Sequence, residues 1–144
     1  MIIKHFELKN KINKNINFYL LYGSNSGFIN DTINQVLRPI FSKNVYNYEE
    51  SEIINNQDDF KENIFNKSFF EDDKLIIINR TSDKILKIIE EIIEKKIENV
   101  KIILKSNILE KKSKLRSFFE KEKNLIITAF YEDDHQTLLN LAQN

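Results

Sequence analysis

Apolar residues recur along this chain in five short runs, at residues 18–22, 45–48, 75–79, 100–105 and 125–128. Each has the length of a strand. Between them, residues 31–41, 58–66, 83–97 and 111–121 space their apolar residues three or four apart over stretches long enough for helices, and residues 4–14 make an amphipathic opening segment. Strands alternating with helices imply parallel crossover units. The runs "KLIIIN", "VKIILK" and "NLIITAF" are nearly continuous and rich in β-branched residues, as strands covered on both faces are. The pattern predicts a three-layer α/β domain built on a parallel sheet. After the last strand, "YEDDHQTLLNLAQN" starts a new helical pattern at Asp134. Residues 1–133 therefore read as one domain, and residues 134–144 as the truncated start of a following helical domain.

The first strand joins its helix through "LLYGSNSGFINDTI", and strand, glycine turn, helix is the order of a phosphate-binding loop. The helix pattern after it is carried by Ile33, Val36, Leu37 and Ile40. A working loop needs a second glycine five residues after the first, then Lys, then Ser or Thr. Backbone amides and the ammonium hold the phosphates, and the hydroxyl holds magnesium. Counting from Gly23, those places carry Phe28, Ile29 and Asn30. No cation or hydroxyl stands where one is needed, and Phe28 is bulky where backbone must approach the ligand. The stretch reads as a strand-to-helix turn, with no cofactor and no metal expected.

A length of 144 residues with 41% hydrophobic content suits one buried core. Lys+Arg and Asp+Glu balance at 22 each, so no long-range field favours autonomous binding to nucleic acid or to an anionic membrane. The chain has no cysteine, which excludes disulfides, thiol catalysis and thiolate metal sites. Residues 1–15 lack the apolar core of a signal peptide, and no apolar run approaches a membrane span, so a cytoplasmic location is expected.

Candidates for chemistry are few. His5 and His135 lie near opposite ends without triad or metal-ligand spacing, and both read as surface residues. The acids Glu71, Asp72 and Asp73 precede a strand, whereas ligands of such sheets gather at the carboxyl ends. A solvated turn is the better reading. In "LEKKSKLRSFFEKEK", the cations Lys111, Lys112, Lys114 and Arg116 stand where they could meet a phosphate. The same segment carries Glu110, Glu120 and Glu122, and an ordinary mixed-charge helix face fits it too, with Leu115, Phe118 and Phe119 inward. In "NIFNKSFFEDDK", Phe65 reads as core at the end of a helix, while Phe69 and Phe70 follow Ser68 beside a polar turn. The residues alone leave core packing and partner binding equally open for that pair.

The order and spacing of "YLLYGSNSGFINDTINQVL", "SFFEDDKLIIINR", "ILEKKSKLRSFFEK" and "ITAFYEDD" resemble the amino-terminal domain of the delta subunit of the bacterial DNA polymerase III clamp loader, over essentially the whole chain. The resemblance implies a RecA/AAA+-like, P-loop NTPase-type domain that lacks a functional phosphate loop, performs no catalysis and binds no ATP. Its task would be to grip the ring-shaped sliding clamp, the beta subunit, and hold one interface open during replication. The family's clamp-binding motif, typically Ser-Leu-Phe before the third strand, falls on Ser68, Phe69 and Phe70. Phe69 departs from the usual Leu, and no role passes to Lys67. Other loader subunits would be partners of the full-length protein, and DNA would be met only through the assembled complex. The alternatives are a degenerate AAA+ ATPase domain and a nucleic-acid-binding module using Lys111 to Arg116.

Overall fold

The computed structural model describes residues 1–12, 15–41, 44–70, 73–97 and 99–131, with backbone only at 66–70. Strands β1 (Phe18–Tyr22), β2 (Val45–Glu49), β3 (Lys74–Asn79), β4 (Val100–Ser106) and β5 (Leu125–Ala129) form one sheet in the order β2-β3-β4-β1-β5. Every pairing is parallel. The helices are α1 (Leu8–Lys11), α2 (Ser26–Thr32), α3 (Glu50–Asn55), α4 (Gln57–Phe70), α5 (Leu86–Glu94) and α6 (Lys114–Lys121).

Successive strand residues point to opposite faces, so a strand that is apolar throughout needs a layer on each side. On one face Ile76, Ile78, Ile102 and Leu104 pack with Ile53, Phe60, Ile64, Ile88 and Phe119 from α3 to α6. On the other, Tyr19, Leu21, Ile77 and Ile103 pack with Ile29, Ile33 and Leu37 and with Ile3 and Leu8 of the opening segment. The three-layer α/β expectation holds. The outer edge of β5 is covered too, since Ile127 donates its N–H to Met1 O at 3.0 Å and accepts from Ile3 N–H at 2.9 Å. That pairing removes an edge otherwise open to another strand.

The helices depart from the sequence pattern in ways that local chemistry explains. α2 begins at Ser26 rather than at residue 31 because Asn25 caps it, its Oδ1 accepting the N–H of Phe28 at 3.1 Å. It continues as π-helical turns over Ile33–Leu37, beyond which Ile40 is exposed. α3 was not expected, because only Ile53 of its six residues is a fully buried apolar contact. α4 runs to Phe70 instead of stopping at residue 66, so positions 68–70 close a helix and do not stand on a turn. No Gly or Pro interrupts it.

α6 starts at Lys114 behind the cap residue Ser113, whose Oγ accepts from Arg116 N–H at 3.2 Å. Asp83 reinforces that end by accepting from Ser113 Oγ at 2.6 Å and from the N–H groups of Lys114 and Leu115 at 3.1 Å each. Burial works to raise its pKa. The hydrogen bonds from Ser113, Leu115 and Lys114 outweigh it and hold the carboxyl below its ordinary value. A pKa lower in the folded than in the unfolded state means that the stabilisation is complete above about pH 3.9 and is lost as pH falls through the folded value. Asp83→Asn is expected to cost about 1 kcal/mol at neutral pH and to flatten the loss of stability below about pH 4. Urea unfolding at pH 7 and pH 3 checks both effects.

Candidate functional site

The turn after β1 has the path of a phosphate loop, but four of its amides are engaged within the protein. The N–H of Gly23 donates to Asn107 O at 3.3 Å and that of Asn25 to Phe130 O at 3.1 Å. Asn25 also takes the amides of Phe28, through its side chain, and of Ile29, through its carbonyl at 3.1 Å. Phe28 meets Phe130 edge-on at 5.0 Å and His5 at 5.1 Å. Ile29 is core. Of the three positions that would hold phosphate and metal, Ile29 and Asn30 border the ligand side of the sheet, Ile29 buried and Asn30 exposed.

At that carboxyl edge, where open α/β sheets take their ligands, lies a crevice of about 320 Å³ lined in part by Ser26, Asn30, Glu49, Arg80, Lys105 and Asn107. Its far wall is the turn after β3. Thr81 donates its N–H to Lys105 O at 2.9 Å and its hydroxyl bonds the hydroxyl of Ser106. The buried carboxylate of Glu50 accepts both the N–H and the hydroxyl of Ser82, each at 2.8 Å. Burial lowers the pKa of Lys105, opposed by Glu49. Of the residues lining the crevice, sequence reasoning weighed Asn30 but neither Arg80 nor Lys105; the one signal for these two was that each stands at the carboxyl end of a strongly apolar strand.

The basic segment divides. Arg116 is turned inward, its Nη1 donating to Leu109 O at 2.7 Å, its Nε 3.3 Å from Glu120 and its guanidinium 5.3 Å from the ring centre of Tyr22. Burial pushes the Tyr22 phenol up to about 12, with Arg116 working against it. Lys111, Lys112 and Lys114 are exposed, and Lys112 pairs with Glu110 at 3.3 Å. The segment thus offers exposed lysines without the arginine.

His5, expected at the surface, is half-buried against Phe28 and Phe130. His135, Glu71 and Asp72 lie outside the described residues; Asp73 is exposed before β3. Phe65 packs against the core as expected. Ser68, Phe69 and Phe70 form the last turn of α4, and their side chains lie outside the described residues. Among the described residues no group of three acidic or imidazole side chains is placed to hold a metal, and no helix is long and apolar enough to cross a membrane.

An all-parallel sheet in this order, with a glycine turn and helix after β1 and a crevice along its carboxyl edge, defines a RecA/AAA+-like domain, here one in which the amides at 23, 25, 28 and 29 are bonded within the protein. Residues 19–131 match the family model for DNA polymerase III, delta subunit, and the chain belongs to that family. It is thereby a clamp-loader subunit of DNA replication. No curated protein and no solved structure gives a match.

Because the amides at 23, 25, 28 and 29 are engaged, magnesium-ATP is expected to bind no more tightly than about 1 mM. Calorimetric titration checks this. A micromolar constant with a stoichiometry of one would mean that the loop opens, and would favour the ATPase alternative.

Proposed function

We propose that this chain is a non-catalytic clamp-gripping domain, which binds the sliding clamp through Ser68, Phe69 and Phe70 and helps hold one of its interfaces open. ATP is handled by other loader subunits, and DNA is met through the assembled complex. The reading is supported by membership of the DNA polymerase III delta family and by the place of residues 68–70 in the last turn of α4, directly before β3. An adjacent aromatic pair is suited to anchoring a partner. This end of α4 leads into β3 at the amino edge of the sheet, away from the crevice. Immobilised cognate clamp is expected to retain the chain with a Kd of about 10 μM or tighter. Absence of binding at concentrations tenfold above that would refute the proposal.

A further inference from the structure

Lys105 stands one residue before the end of β4 yet opens into the carboxyl-edge crevice, half-buried, and among the described residues its ammonium makes no direct hydrogen bond or ion pair. Glu49 acts on it only through space. Half-burying an ammonium without an acceptor is unfavourable, and an anion would relieve it.

Arg80 reaches the same crevice from a left-handed backbone conformation, φ 55°, which is uncommon outside glycine. The flanking bonds of Thr81 to Lys105 O and of Ser82 to Glu50 hold the turn in that shape. A non-glycine residue kept in such a conformation by its surroundings is a mark of functional sites. Its side chain is 80% exposed and, among the described residues, its one ion pair is with Glu49 at 3.4 Å, an exposed pair of little strength. Two cations therefore face one carboxylate, beside the hydroxyl of Ser26 and the amides of Asn30 and Asn107.

We propose that this crevice binds a small oxyanion of the phosphate class between Lys105 and Arg80. Its two cations come from the turn after β3 and the carboxyl end of β4, not from the loop after β1, so the site is distinct from a nucleotide cradle. Ammonium and guanidinium donors suit a tetrahedral oxyanion, the guanidinium presenting paired N–H groups.

The test is an amide-shift titration of the intact chain with inorganic phosphate at constant ionic strength. Saturable shifts are expected at Ser26, Arg80, Lys105 and Ser106. Lys105→Met should weaken binding at least about tenfold, while Lys105→Arg should stay within about threefold of the parent. Arg80→Gly keeps the left-handed turn without the guanidinium, so its loss of binding cannot be ascribed to misfolding. Lys112→Ala should bind as the parent does. Shifts that never saturate, that spread over exposed lysines, or that survive Lys105→Met and Arg80→Gly would show an adventitious ion only and overturn the proposal. Binding of AMP about tenfold tighter than phosphate would equally overturn it in favour of a nucleotide site.

Discussion

Gly23→Ala is expected to destabilise the fold by about 3 kcal/mol or more and to lower the melting temperature by roughly 10 °C. Gly23 has φ +133°, where side-chain-bearing residues rarely go, and a Cβ there would lie 2.0 Å from the carbonyl oxygen of Phe130 and 2.7 Å from its carbonyl carbon. Both are backbone atoms, so no rotamer change makes room. Phe130 is fully buried and bonded to the same turn twice, donating to Tyr22 O at 2.7 Å and accepting from Asn25 N–H. Relief would mean moving the chain just past β5 and breaking those bonds. Gly27 is the control: a Cβ there meets only Asn25 Oδ1 at 3.7 Å, so Gly27→Ala, inside α2, should gain up to about 1 kcal/mol. Scanning calorimetry separates the pair, and a Gly23→Ala variant melting with the parent would contradict this close approach. The glycine of the apparent phosphate loop thus serves the joint between β1 and β5.

The five strands could be read from sequence to within a residue at each end; β3, β4 and β5 were the plainest, because nearly continuous β-branched apolar runs suit strands between two packed layers. Where one side chain decides the outcome, reading was poorer. Ser24, Asn25, Ser26 and Gly27 look like a turn, yet Asn25 alone starts α2 there by taking the amide of Phe28. The polar stretch Asn66, Lys67, Ser68 looks like a helix end, yet nothing in it breaks a helix already packed through Phe60 and Ile64. The crevice was hidden for a different reason. Arg80 and Lys105 are far apart in the chain, and only the register that pairs Ile78 with Leu104 carries both to one edge. Likewise His5 meets Phe28 only because the opening segment folds over α2.

Phe70→Ala is expected to weaken clamp binding by about 2 kcal/mol, roughly thirtyfold, with Phe69→Ala costing somewhat less. An aromatic ring desolvated in a pocket on the clamp carries energy of this order. The loss of freedom on binding is small when the rings sit on a helix that β3 anchors directly behind them. Phe69 replaces a leucine-like shape with a planar one, so its share should be the smaller. Lys112→Ala, altering an exposed lysine paired with Glu110 beyond β4, should leave clamp affinity unchanged. Each variant must also be melted, because removing a core phenylalanine costs about 3 to 5 kcal/mol of stability and would imitate a binding defect. A place for the Phe70 ring on the clamp and not in the core predicts a melting temperature close to the parent's. If Phe70→Ala melts far earlier while its folded fraction binds clamp normally, the ring belongs to the core and the gripping surface lies elsewhere.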